Sequence, residues 1–402
     1  MRFTDRVTVG GSGSPDALTR AILESAAREL ADVGQAEFAL ERVAKGAYCS
    51  IGSVYERWDD RSGLLTDLAT DIVAIEMGAA LGSAADAETA LRWVLGEGRP
   101  NVLMTGELLL AAQTASELLE PALALWHELV AGLSRQVPDP LAWYVATYAI
   151  GSALLSALHI DGPDDLDGRV EWLLAASALP TSAGPPARSP ASTERVEIPV
   201  IPGPSRTDDV SLALVSAART LLSERGAEGT TTRDIAAGAG VTTGAMYRRY
   251  PGKSGLLADV LVTQLEPDRY TWTWRLVQAL AGDDPLGGSA AVLGQKLIDS
   301  ARDLEAQRVL LQVGIAARND PALSALVAER IHVAHEARVD MVRQFAQVGV
   351  LRDDISPEVM AWGFQVIPVG IRATLPLGIH LDLDTVSAAM QSLLRASAAS
   401  AA

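Results

Sequence analysis

The 402 residues suffice for two or three domains, and 49% apolar against 21% charged residues supports large cores and excludes global disorder. One cysteine, Cys49, excludes a disulfide framework and a cysteine-based zinc site, and a net charge of −17 argues, taken whole, against a nucleic-acid partner. That charge is uneven: residues 1–180 hold 12 basic and 26 acidic side chains, whereas residues 181–402 hold 21 and 24.

Residues 1–15 are rich in Gly and Ser and read as a disordered N-terminus. From Asp16, Leu18, Ile22, Ala26 and Leu30 recur at helical spacing, and helical patterning continues to about Leu179. Residues 180–207 contain seven prolines in 28 positions, which reads as an extended, semi-rigid linker. Helical patterning resumes at Asp208 and runs to about Ala396. Abundant Ala and Leu, with aromatics at 5%, suit helices better than strands, so the expected class is all-α.

The two helical stretches align with each other. Ser25-Ala26-Ala27-Arg28 matches Ser216-Ala217-Ala218-Arg219 at an offset of 191. Val43-Ala44, Gly52, Tyr55 and Gly63-Leu64-Leu65 match Ile235-Ala236, Gly244, Tyr247 and Gly255-Leu256-Leu257 at 192, which puts a single-residue shift near Gly34 and Gly226. Trp143, Gly151 and Asp165 pair with Trp362, Gly370 and Asp384 at 219, so the second copy is longer by 27 residues in its middle.

Residues 208–257 carry the clearest motif. A helix from Val210 to about Glu224 ends at Gly226, a suitable left-handed terminator. Thr231, with Asp234 three residues on, caps a second helix over 232–238. Ala239-Gly240-Val241 makes a tight turn, and Thr242 caps a third helix that runs to Tyr250. Pro251-Gly252 breaks it, and a fourth helix starts at Lys253. Two short helices around a glycine turn form a helix-turn-helix, whose second helix presents its N-terminal residues to base edges in the major groove. Here that end is small and polar, and residues 242–253 carry +3 in an acidic chain.

Residues 208–260 thereby resemble the N-terminal DNA-binding domain of the TetR family of bacterial transcriptional regulators. The resemblance rests on Thr231-Thr232-Arg233-Asp234-Ile235-Ala236, Ala239-Gly240-Val241-Thr242-Thr243-Gly244, Met246-Tyr247 and Tyr250-Pro251-Gly252-Lys253. Residues 16–70 resemble the same domain more loosely, making the chain look like a tandem regulator. The domains implied are 16–70 and 71–179 in the first copy and 208–260 and 261–402 in the second, each pair a DNA-binding unit followed by a helical ligand-binding and dimerisation domain. The resemblance implies a cytoplasmic regulator, a repressor released from operator DNA by a small effector. The expected DNA contacts are Thr231, Thr232, Arg233, Thr242, Thr243, Gly244, Ala245, Tyr247, Arg248, Arg249, Tyr250 and Lys253.

The first copy departs from this pattern. Ala39 stands where Thr231 caps, a loss of roughly 1 kcal/mol. Tyr48 stands where Gly240 turns the chain, which is strained if φ is positive. Residues 50–61 carry −1, with Glu56, Asp59 and Asp60 opposing phosphate. Its candidate contacts are Ser50, Ser53, Tyr55, Arg57 and Arg61, and the unit is either a weaker reading head or a structural copy.

In the family the last two helices build a four-helix bundle with a partner. Their expected positions are 141–159 and 165–179 in the first copy and 357–378 and 384–396 in the second, with Gly151 and Gly370 allowing close approach. The linked copies form either an intramolecular pseudo-dimer or a dimer of chains. Candidate effector contacts are Trp126, His127, Trp143, Tyr144 and Tyr148, then Trp272, Trp274, Trp362 and Phe364, whose character suits an apolar or aromatic molecule.

The chain has no 18-residue apolar run, no signal-peptide pattern and no catalytic motif, so neither a membrane partner, a metal, a cofactor nor an enzymatic role is expected. His332 and His335 read as a solvated helix face and Cys49 as a small core residue. The competing reading is an effector-binding or protein-interaction module of the same fold that has lost strong DNA binding.

Overall fold

The computed structural model describes residues 16–178 and 205–398, apart from 228, 266–268, 281, 283, 348, 350 and 380–382. The N-terminal segment 1–15 and nearly all of the proline-rich 180–207 lie outside the described residues. Among those described there are twenty α-helices and no β-strand, so the chain is all-α.

In the first half these are α1 (Ala17–Glu37), α2 (Leu40–Gly46), α3 (Ile51–Tyr55), α4 (Arg61–Leu68), α5 (Ala74–Ser83), α6 (Ala87–Leu95), α7 (Arg99–Ala112), α8 (Leu119–Ser134), α9 (Asp139–Ser156) and α10 (Leu166–Ala178). In the second half they are α11 (Asp209–Arg225), α12 (Thr232–Gly238), α13 (Thr243–Tyr247), α14 (Lys253–Leu265), α15 (Arg269–Leu280), α16 (Pro285–Arg302), α17 (Leu304–Asn319), α18 (Pro321–Gln347), α19 (Pro357–Thr374) and α20 (Leu383–Ser397). Part of the second half's extra length lies in α18, 27 residues against 16 in α8.

The N-terminal triplets α1–α3 and α11–α13 are built alike. Asp16 and Asp208 cap α1 and α11 by accepting from Thr19 and Ser211 amides at 2.7 Å and 3.2 Å. Ile22, Leu23, Ala26 and Leu30 are buried where α11 buries Leu214, Val215, Ala218 and Leu222. Gly34 kinks α1 at φ 74°, and Gly226 ends α11 at φ 71°. Caps, buried positions and these glycines all correspond at 192. This corrects the shift of one residue inferred from Ser25–Arg28: that string repeats out of structural register, because helix burial, not letter identity, sets the alignment.

The core joins the halves. α9 packs along α19, and α10 against α20, so the four terminal helices form one bundle within the chain. α9 is apolar all round and nearly all of its residues are buried, as a helix packed on every side must be. The α9–α19 crossing is backbone-close. A Cβ added at Gly151 would lie 2.9 Å from the Gly370 nitrogen, and one added at Gly370 would lie 2.9 Å from the Thr147 carbonyl carbon. Tyr144 donates to the Gly363 carbonyl at 2.8 Å, and Trp172 Nε1 to Ser397 Oγ at 2.8 Å. At the other end, Arg318 of α17 pairs with Glu107 of α7 and donates to the Ala31 carbonyl of α1.

Candidate nucleic-acid interface

The second helix-turn-helix is α12–turn–α13. α12 starts with a full capping box: Thr231 Oγ1 accepts from the Asp234 amide at 3.2 Å, and Asp234 Oδ2 accepts from the Thr231 amide at 3.2 Å. The expected bounds 232–238 hold. Gly240 turns the chain at φ 67°. Thr242 caps α13 by accepting from Ala245 N at 3.1 Å, and Met246 anchors the helix in the core. α13 stops at Tyr247, three residues earlier than the sequence suggests.

The exposed side of this unit carries Thr231, Arg233, Thr242, Gly244, Tyr247 and Arg248, flanked by half-buried Thr232, Thr243 and Ala245. Tyr247 is 48% exposed, and its hydroxyl lies 3.2 Å from Thr232 Oγ1, which steers the ring along the N-terminus of α12. Nothing but Thr242 Oγ1, at 3.9 Å, comes near an added Cβ at Gly244, so this glycine leaves open surface rather than filling a crowded crossing.

Three of the expected contacts have partners within the unit. Tyr250 is a core residue, 2% exposed, whose hydroxyl donates to Asp259 Oδ2 at 2.9 Å. Arg249 pairs with Asp208 at 2.9 Å and so ties α13 to the cap of α11. Lys253 donates to the Ala227 carbonyl beyond the α11 terminus. These side chains hold the unit's shape: positive charge near phosphate in the sequence pattern is drawn inward here by backbone carbonyls and a cap carboxylate. Ser211 hydrogen bonding, reinforced by Arg249, holds the Asp208 carboxyl down at about 2.

The first unit repeats the scaffold and changes the surface. Ser50 caps α3 by accepting from Ser53 N at 3.1 Å. Arg57 donates to Thr19 Oγ1 at 3.0 Å and pairs with Asp16 at 3.5 Å, as Arg249 does with Asp208. Arg61 donates to the Gln35 carbonyl and lies 5.5 Å from the centre of the Phe38 ring, in the role of Lys253. Trp58 donates to Asp67 at 2.7 Å where Tyr250 bonds Asp259. Arg57 and Arg61 are therefore engaged within the unit, while Ser50 and Tyr55 stay exposed and Ser53 half-exposed. Tyr48 occupies the turn at φ 55°, fully exposed, and Ala39 gives α2 no side-chain cap. The surface carries a double charge reversal: Glu41 and Glu56 are exposed at the positions of Arg233 and Arg248. A register of 192 applied to the whole motif finds it.

Most expected effector contacts are packing residues. Trp126, Trp143, Tyr148 and Trp362 are buried, His127 is exposed and Trp274 is 57% exposed. The Trp272 side chain lies outside the described residues. Tyr144 and Phe364 line a cavity of about 170 Å³ beside Met341 and Met390. His335 stands edge-on to Trp362 at 5.7 Å, where burial lowers its pKa, so only His332 of that pair faces solvent. Cys49 is half-buried against the core.

Residues 214–260 match the family model described as "Bacterial regulatory proteins, tetR family". A nucleoid occlusion factor, SlmA, from Pasteurella multocida (strain Pm70) is 32% identical over 109 residues, which are 27% of this chain and 53% of that protein. The chain thus spans about half the length of this curated relative. Among solved structures, NalD, described as the secondary repressor of the MexAB-OprM multidrug efflux pump in Pseudomonas aeruginosa, is 20% identical, covering 48% of this chain and 98% of its own at a TM-score of 0.37. Salmonella enterica GusR is 17% identical over 46% of this chain and 95% of its own, at a TM-score of 0.38.

Proposed function

We propose that the protein is a DNA-binding transcriptional regulator in which the second helix-turn-helix reads operator DNA. The observation that carries this reading is the exposed, uncrowded face of Arg233, Thr242, Gly244, Tyr247 and Arg248 inside the segment that matches the family model. Thr hydroxyls and methyls suit base edges, and Tyr and Arg suit phosphates.

The chain works as a tandem of two unequal units, residues 16–179 and 208–402, whose terminal helices pair inside one molecule. The reciprocal approach of Gly151 and Gly370 supports this, since a contact repeated in both senses is the mark of a two-fold interface. The first unit is a structural copy for DNA purposes, because Glu41 and Glu56 repel phosphate where the second unit offers arginines. A small effector bound among the later helices releases the repressed operator. The site of action is the cytoplasm.

The test is a gel shift on the DNA upstream of the protein's own gene. Arg233→Ala with Arg248→Ala weakens the shifted band at least tenfold, whereas Glu41→Ala with Glu56→Ala leaves or strengthens it. Equal binding by the arginine variant and the wild type refutes the assignment.

A further inference from the structure

Between the two halves lies a cavity of about 240 Å³, near the small end of ligand pockets, which run from about 300 to 1,000 Å³. Helices α17, α18 and α19 form one wall, and residues 33–36 with Leu154, Leu155 and Leu158 form the other. Its charged groups are one-sided: Lys296, Arg318, Arg338 and Arg372 face it with one carboxylate, Glu107.

Glu107 is committed. It takes the ion pair from Arg318 and accepts from the Gln35 amide at 2.8 Å. Arg338 donates to Gln365 Oε1 at 3.0 Å and to the Ala334 carbonyl at 2.9 Å. Arg372 differs from both. Its Nε is buried without a hydrogen-bond partner, and among the described residues no carboxylate pairs with its guanidinium. The residue is half-buried, and desolvation draws its pKa down to about 10, which still leaves it charged at neutral pH. A partly desolvated cation without a counter-ion is disfavoured, and an arginine does not relieve this by losing its proton.

We propose that this cavity binds a small amphipathic organic acid, its carboxylate seated on the Arg372 guanidinium and its apolar body against Leu154, Leu158, Leu310, Val327 and Ile331. Paired N–H donors of a guanidinium match a carboxylate fork, and the leucine-rich walls exclude water from the contact. The ligand touches both halves, including residues 33–36 around the kink of α1, the helix that packs against α2 of the first helix-turn-helix. The inference deepens the effector part of the function proposed above by naming the effector's chemical class, and the binding itself needs no DNA.

The test is titration calorimetry of the full-length protein with octanoate, with octanol and with acetate. Octanoate binds at least tenfold more tightly than octanol, and acetate binds weakly. Arg372→Met brings octanoate down to the level of octanol while octanol binding persists, and the unliganded variant melts no lower than wild type because an unpaired, half-buried charge is gone. Arg372→Lys restores part of the preference. Equal affinity of the wild type for octanoate and octanol, no binding of octanoate, or unchanged octanoate affinity in Arg372→Met overturns the proposal. The Arg233→Ala, Arg248→Ala variant keeps wild-type octanoate affinity, so failure of DNA reading and failure of acid binding register separately.

Discussion

Gly370→Ala probes the joint between the halves. The added methyl lands 2.8 Å from Thr147 Cγ2 and 2.9 Å from the Thr147 carbonyl carbon, both on a helix with no free side to retreat to. Overpacking a filled core costs about 1–3 kcal/mol, and the upper end applies because a backbone carbonyl, not a flexible tip, is the obstacle. A loss of about 2–3 kcal/mol lowers the melting temperature by roughly 4–12 °C for a unit of 150–250 residues. Gly314→Ala on α17 is the control: no atom lies within 4 Å of its new Cβ, and relief of glycine's backbone freedom adds about 0.5–1 kcal/mol. Circular dichroism melts of the three proteins measure the difference. A Gly370→Ala melt equal to wild type refutes the account of the bundle, and light scattering that shows only dimeric chains refutes its intramolecular form.

Tyr48→Gly stabilises the first unit by about 0.5–1 kcal/mol, since the ring is 99% exposed, buries nothing and sits at φ 55°; urea denaturation followed by tryptophan fluorescence reads it. Gly244→Ala leaves the fold at least as stable, yet weakens operator binding at least tenfold in fluorescence anisotropy by holding α13 off the groove. For Asp208 the folded pKa, about 2, lies below the ordinary value of 3.8, so its stabilising contribution is complete above pH 4 and fades as pH falls from about 4 to 2. Asp208→Asn flattens the acid limb of the stability profile in that window.

Helix bounds in the second reading unit were legible because punctuation residues mark them: Thr231 with Asp234, Gly240, Thr242 and Pro251-Gly252 each act through a local bond or backbone angle. Side-chain direction was not. Tyr250, Arg249 and Lys253 fall in the basic stretch that reads as a DNA surface, but their partners, Asp259, Asp208 and the Ala227 carbonyl, come from other helices. The aromatic residues named as effector contacts mostly fill the core, since an apolar helix such as α9 looks the same whether it lines a cavity or meets another helix. Arg372 could not be singled out, because its lack of a counter-ion depends on helices from both halves of the chain. Unequal charge was readable from the start. Its location at Glu41 and Glu56 follows from the same offset of 192 that aligns Val43-Ala44, Gly52 and Tyr55, and the structure adds that both glutamates are exposed.

The most direct test of unequal reading heads is the salt dependence of operator affinity, measured by fluorescence anisotropy on the wild type, on Arg233→Ala with Arg248→Ala, and on Glu41→Ala with Glu56→Ala. Each lost phosphate contact reduces the slope of log affinity against log salt by about 0.9, so the arginine variant loses about 1–2 units of slope while the glutamate variant keeps the wild-type value. An unchanged slope in the arginine variant contradicts the assignment of DNA reading to the second unit.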